Sequence, residues 1–195
     1  MKHILLITVC SLALAFPVMA DDVQTVENLL KERTEAVLDI LQDNGLSEKV
    51  KKDQIMDIVG PIIDFGLMAK LTLGKTNWGR FNEKQRIDFV DLFVKRLENS
   101  YLEKSSLYCC VDVSFKPAFK QGSKVYAPIE VEAEDKPLEM LYKFYSSKEG
   151  WQAYDVEVNG VSLIKSYQSQ FSEVLKNGTP EDLLINLREQ VKGSN

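Results

Sequence analysis

The stretch W-Q-A-Y-D-V-E-V-N-G-V-S-L-I-K-S-Y-Q-S-Q-F, Trp151 to Phe171, decides the fold. Its first half alternates. Trp151, Ala153, Asp155, Glu157 and Asn159 form one set, and Gln152, Tyr154, Val156 and Val158 the other. A two-residue period rich in aromatic and β-branched side chains predicts a strand. Asn159-Gly160 ends it, because glycine, and asparagine more than most residues, tolerates the positive φ of a sharp bend. From Val161 the period lengthens, and Val161, Ile164, Tyr167, Gln168 and Phe171 share one helical face. A strand that turns into a helix with almost no linker sets the angle between the two, and the upstream chain must pack into that corner.

Before this corner come three further strands. Val111–Phe115, Lys124–Val131 and Leu138–Tyr145 alternate and are separated by turn signals, with hairpin ends at Gln121-Gly122 and Glu149-Gly150. Pro128 lacks a backbone donor, which predicts an edge or a bulge for the second of them. With Trp151–Val158 they make a four-stranded antiparallel meander. After it, Gly178 closes the helix, and Thr179-Pro180-Glu181-Asp182 caps a last short one.

The first half of the chain is helical. Val23, Val26, Leu30, Val37 and Leu41 form one apolar stripe within Asp22–Leu41, and Asn44-Gly45 stops it. Ser47 caps a second helix carrying Val50, Ile55, Ile58 and Val59, which Pro61 interrupts. The next residues, I-I-D-F-G-L-M-A-K-L-T-L-G, are too apolar for an exposed loop and predict a short buried helix. Asn82-Glu83-Lys84-Gln85 reads as a capping box opening the longest helix. Phe89, Phe93, Leu97 and Tyr101 recur along it every four residues, with Val90 and Val94 broadening the stripe. Helices first, then strands, then helices predict an α+β fold with an antiparallel sheet covered mainly on one face.

Composition narrows the chemistry. Residues 1–20 have a basic start, an apolar run from Ile4 to Phe16 and a small residue at Ala20, the pattern of an export signal cleaved after Ala20. The expected mature chain, residues 21–195, shows no repeat, low-complexity stretch or linker and is read as one domain. Loss of Lys2 leaves 23 basic against 29 acidic residues, a formal charge of −6. That balance argues against nucleic acid as a partner. His3, the only histidine, leaves with the same segment, so histidine-based triads and histidine-ligated metals are excluded from the mature protein. Cys109 and Cys110 are adjacent. Neighbouring strand side chains point to opposite faces, so two small packed residues are the expectation, with a strained pair or a bond to another molecule left open.

The string Y-D-V-x-V-x-G-V-S-L-I followed by S-Y-x-S-Q-F resembles the MlaC family of periplasmic phospholipid-binding proteins, also called toluene-tolerance or ABC-transporter auxiliary proteins. Trp151, Tyr154, Asp155, Gly160, Val161, Ser162, Tyr167, Gln170 and Phe171 match its pattern, while Ser166 and Gln168 replace the usual Asn and Arg. Two further blocks match: Pro61, Asp64-Phe65, Met68-Ala69, Leu73-Gly74 and Trp78, and then Gln85, Phe89, Phe93, Leu97 and Tyr101. The resemblance implies a cystatin-like or nuclear-transport-factor-like curved sheet, with helices enclosing an apolar cavity. It implies no enzyme and no cofactor, only a glycerophospholipid as cargo. The partners it implies are an inner-membrane ABC transporter with an MCE-domain subunit and an outer-membrane lipoprotein complex, with transfer through the periplasm.

An aromatic stripe at helical spacing is more often plain core than a ligand wall, and the resemblance reverses that for residues facing the sheet. The long helix and the Phe65–Trp78 segment are then expected to lie across the sheet. The expected lipid-facing residues are Phe65, Met68, Leu73, Trp78, Phe89, Phe93, Leu97, Tyr101, Tyr142, Phe144, Trp151 and Val161. Asp64, a carboxylate within an apolar run, reads as a helix cap or a hydrogen-bonded structural group. An alternative is an enzyme on the same fold, with Asp64 or Asp155 as base and Tyr154 or Tyr101 as proton donor. A module with a filled core, and a carrier for hopanoids, sterols or hydrophobic solvents, complete the alternatives.

Overall fold

The computed structural model describes residues 21–102, 111–132 and 137–193, apart from the side chains of Tyr101 and Leu102. The export signal and the Cys109-Cys110 pair lie outside the described residues. The helices are α1 (Asp22–Gln42), α2 (Glu48–Val59), α3 (Phe65–Arg80), α4 (Glu83–Leu102), α5 (Leu163–Asn177) and α6 (Pro180–Lys192), with a 3-10 turn at Gly60–Ile62. The strands are β1 (Val113–Phe115), β2 (Phe119–Gln121), β3 (Lys124–Val131), β4 (Leu138–Ser147), β5 (Gly150–Val158) and β6 (Val161–Ser162). They form one open, curved antiparallel sheet in the order β1-β3-β4-β5-β6, with β2 also on β3. The fold class is therefore as expected, with two strands more than the four predicted.

Both extra strands are short, and each has a local cause. Phe119–Gln121 pairs with Lys124–Tyr126 across the Gly122 turn. β1 and β2 thus share one edge of β3, and Pro128 sits where one gives way to the other. The proline is interior rather than at an edge, but its missing donor faces that break. At the other end, Asn159 (φ 48°) and Gly160 (φ 77°) make a two-residue turn in the left-handed region. This turn folds Val161-Ser162 back onto β5 as β6, so the helix begins at Leu163, two residues later than predicted. Ser162 caps it, its Oγ accepting from the Lys165 N–H at 3.2 Å.

One irregularity governs how the sheet faces its surroundings. On β5, Lys143 pairs with Asp155 but Phe144 pairs with Ala153, so Tyr154 is an extra residue. The bulge shifts the alternation by one. Ala153, Val156 and Val158 thereby fall opposite Phe144, Tyr142 and Met140 of β4, and Trp151 joins the same apolar face. Asp155 and Glu157 fall on the other face with Lys143, whose Nζ donates to both carboxylates. Burial disfavours the ammonium there, yet hydrogen bonds to Glu157 and Asp155 outweigh it and hold Lys143 above its ordinary value. Asp155 is buried and also accepts from the Ser162 hydroxyl at 2.8 Å and the Ile164 N–H at 3.3 Å. A single carboxylate thus fastens the start of α5 to the sheet.

Two apolar cores result. α1 lies on the sheet, where Val26 and Leu30 meet Val125, Ala127, Ile129 and Val131 of β3. A separate core lies among the helices, with Phe89, Phe93 and Leu97 of α4 against Met68 and Leu73 of α3, Tyr167 and Phe171 of α5, and Leu183, Leu184 and Leu187 of α6. α4 packs chiefly on α6 and α3, so the expectation that it spans the sheet is corrected: α1 does so. α3 is longer than the short helix predicted and breaks at Gly74 (φ 67°). It is tied to the sheet by Asp64. The Asp64 N–H donates to the Ala153 carbonyl at 2.9 Å. Its carboxylate accepts from the Leu67 N–H at 2.8 Å and from the Tyr145 hydroxyl at 2.5 Å.

Phe93 is fully buried, edge-on to Tyr167 at 5.3 Å and stacked on Phe89 at 6.2 Å. Phe93→Ala is expected to cost ~3–5 kcal/mol in chemical denaturation, as emptying a filled core does. The Tyr145 hydrogen bond to Asp64 pushes the Tyr145 phenol up to about 12. The folded protein therefore keeps a proton that the unfolded chain releases near its ordinary ~10. This contribution is complete below ~10 and is lost as pH rises toward about 12. In urea titrations over that window, Tyr145→Phe should show a shallower fall in stability than the wild type.

Candidate functional site

Where α1 crosses the sheet it does not close against it. The face of α1 repeats Leu30, Arg33, Thr34, Val37, Leu38 and Leu41, a helical spacing of three and four that aims all six at one place. α2 adds Ile55 and Val59, one turn apart, and the turn into α3 adds Ile62 and Ile63. The sheet supplies Val113, Ile129, Val131, Leu138, Met140, Tyr142 and Val158, with Val111 just before β1. Between them is a cavity of about 360 Å³. Of its 18 lining residues only Arg33, Thr34 and Tyr142 carry a polar side-chain atom. Such a wall offers an apolar ligand dispersion contacts and release from water, with almost no directional chemistry.

Three features hold the cavity open. Lys51 of α2 is buried, and its Nζ donates to the Leu41 carbonyl at the end of α1 at 2.8 Å. That bond satisfies an orphan carbonyl and fixes α2 to α1. At the opposite end of α1, Glu27 accepts from the Ala118 N–H at 2.7 Å, and Asp22 pairs with Lys120 at 2.5 Å. Both bonds tie α1 to the β1–β2 edge. The β5 bulge, third, turns Asp155 and Glu157 away and leaves Val158 on the wall. Tyr142 is half-buried on the wall, and desolvation raises its phenol to about 12.

The residues predicted to face a lipid are divided by this geometry. Tyr142 lines the cavity. Phe144 and Trp151 belong to the same sheet-side core without reaching the wall. Met68, Leu73, Phe89, Phe93 and Leu97 are buried in the helical core, with Phe65 and Trp78 packed against it. Val161 is 58% exposed on β6. The Tyr101 side chain lies outside the described residues. The cavity is thus not under α4, where sequence reasoning put it, but under α1 and α2. The apolar stripes of both helices were legible, and three residues of the α1 stripe, Leu30, Val37 and Leu41, are wall residues. Which amphipathic helix lies on the sheet is a tertiary fact that no stripe encodes.

The carboxylates considered as catalytic bases have structural partners. Asp64 caps α3 and accepts from Tyr145, as the capping reading expects. Asp155 is held by Lys143, Ser162 and the start of α5. Neither lines the cavity. Tyr154, one of the two proton donors proposed beside Tyr101, stands edge-on to Tyr145 at 6.1 Å, with the Lys124 ammonium over its ring at 4.4 Å.

Comparison with solved structures finds a phospholipid-binding protein from Ralstonia solanacearum, determined in complex with a phospholipid. It superposes with a TM-score of 0.78 at 22% identity, over 86% of this chain and 97% of the other. At that identity the likeness establishes the shared fold. The sequence model described as MlaC protein matches residues 31–189, from α1 to near the end of α6. The match takes in the cavity wall apart from Leu30, the β5 bulge and the Asp155 anchor, and the chain belongs to the MlaC family.

Proposed function

We propose that this chain is a carrier that binds a glycerophospholipid by its acyl chains and shuttles it through the periplasm. In this reading the lipid passes between an outer-membrane lipoprotein complex and an inner-membrane ABC transporter bearing an MCE-domain subunit. The observation that carries the proposal is the cavity under α1 and α2, walled almost wholly by aliphatic side chains. Membership of the MlaC family and the fold shared with a protein solved with phospholipid bound support it. Export, with cleavage after Ala20, belongs to the same proposal.

The energetics demand such a site. A buried methylene is worth ~0.8 kcal/mol, so one chain of about sixteen carbons represents roughly 13 kcal/mol and two about 25. A lipid crossing an aqueous space must keep nearly all of that. The carrier need only match the bilayer, because transfer exchanges one apolar environment for another. Binding without catalysis is sufficient, and it asks nothing of Asp64 or Asp155. At about 360 Å³ the cavity stands at the low end of the ~300–1,000 Å³ range of ligand sites. Loading a diacyl lipid therefore requires α1 and α2 to part from the sheet, and the Lys51 bond to Leu41 would carry them together.

Native mass spectrometry of protein exported by its own leader should show a diacyl glycerophospholipid at about one per chain. A chain that is lipid-free after gentle purification would end the carrier reading. Leu38→Glu places a carboxylate on the wall with no partner, and burying it against acyl chains is strongly unfavourable. This variant should fold, since Leu38 is only half-buried, and should purify with less than about a tenth of the wild-type lipid. Full lipid content in folded Leu38→Glu would place the cargo elsewhere.

A further inference from the structure

One cation stands on the cavity wall. Arg33 is the sole charged residue among the lining side chains, on a stripe of α1 that is otherwise aliphatic apart from Thr34. Its stem runs along the wall, where the Nε–H is buried without a hydrogen-bond partner among the described residues. Its far end reaches water. The side chain is 34% exposed, and among the described residues it pairs with the Glu32 carboxylate, 3.9 Å away and largely exposed. A separation that long on a solvated neighbour leaves the guanidinium fork uncommitted. The second such unpartnered arginine nitrogen, on Arg96, lies away from this cavity.

A buried donor left unpaired is costly, and native proteins keep few of them. Acyl chains cannot satisfy it, because they have no acceptor. The group that would do so must carry acceptor oxygens, sit at the boundary between an apolar body and water, and tolerate an adjacent cation. A phosphodiester at the end of two acyl chains meets all three conditions. Its oxygens match the planar fork of an arginine in paired, charge-assisted bonds. Thr34, next along the wall, adds a hydroxyl at the same level of α1.

Resting on the carrier reading above, we propose that Arg33 holds the head-group phosphate of the bound glycerophospholipid, fixing how deep the chains sit. The contact recognises the phosphate that all glycerophospholipids share rather than any one head-group alcohol. Arg33 is then what separates a phospholipid from an uncharged diacyl lipid of the same chain length.

The test loads delipidated full-length mature protein from vesicles containing phosphatidylglycerol, or diacylglycerol with the same chains, and measures retained lipid. Wild type should retain phosphatidylglycerol over diacylglycerol by about tenfold or more, the worth of one charge-assisted bond pair. Arg33→Gln should keep its diacylglycerol and lose most of that preference, and Arg33→Lys should keep part of it. Equal preference in wild type and Arg33→Gln would overturn the proposal. So would an Arg33→Gln variant that loses both lipids alike, since the side chain would then serve the wall and not the phosphate. A wild type that takes up neither lipid would fail the carrier reading itself. Inorganic phosphate that raises the melting temperature of wild type but not of Arg33→Gln, with no lipid preference in either, would make this a free-anion site and overturn the head-group assignment.

Discussion

One inserted residue sets the chemistry of both faces of this sheet. Without the bulge at Tyr154, strict alternation on β5 would put Asp155 and Glu157 on the same face as Trp151 and Ala153, against α1. Two carboxylates would then border an apolar cavity, each with a desolvation cost of several kcal/mol. With the bulge, both turn to Lys143, and Asp155 accepts from the Ser162 hydroxyl and the Ile164 backbone amide at the start of α5. The extra residue therefore serves cavity and helix anchor together. Neither could be kept if the other were lost, because both depend on the same shift of phase. Bulges near functional sites commonly re-aim side chains in this way.

The two cores differ in kind because their residues do. The helical core is aromatic and interlocked: Phe81, Phe89, Phe93, Tyr167 and Phe171 meet at centroid distances of 5.3–6.4 Å, mostly edge to face. Rings in that geometry fill space and fix one another. The wall of the cavity is Val, Leu, Ile and Met apart from Arg33, Thr34 and Tyr142. Branched aliphatic side chains on a curved sheet, under a helix hydrogen-bonded to its neighbours near its two ends, leave a gap that they cannot reach across. Lys51 holds one end of α1, and Glu27 with Asp22 holds the other.

Much of this was legible in the sequence. Period and punctuation located all six helices and four of the six strands, the three-residue β1 as the end of the longer Val111–Phe115 alternation, and the capping boxes at Asn82 and Thr179 form as read. Asp64 caps its helix as expected. Two things escaped. The short strands β2 and β6 are too brief for periodicity to register, and β6 exists only because the Asn159-Gly160 turn folds two residues back. The site escaped for a deeper reason. α1 and α4 are both amphipathic, and the aromatic stripe of α4 is the more conspicuous. Aromatic rings pack best against other rings, so that stripe went to the helical core and the plainer aliphatic one came to line the cavity. The bulge, too, was invisible: Trp151 to Val158 alternates well enough to read as a regular strand, and only its partner strand exposes the phase shift.

The separation of the two cores bears on how such a protein can change over generations. The interlocked aromatic core joins α3 to α6, and the aliphatic cavity lies under α1 and α2. Substitutions at sites with few shared neighbours act nearly independently, and Ile63, packed against both cores, is the link between these two. A mutation that reshapes the cavity, a Val widened to Leu or a Met narrowed to Val, draws little on the reserve that keeps the chain folded. Selection can therefore reshape the wall while the aromatic half stays fixed. A chain of this design can diverge in what it holds long before it diverges in how it folds.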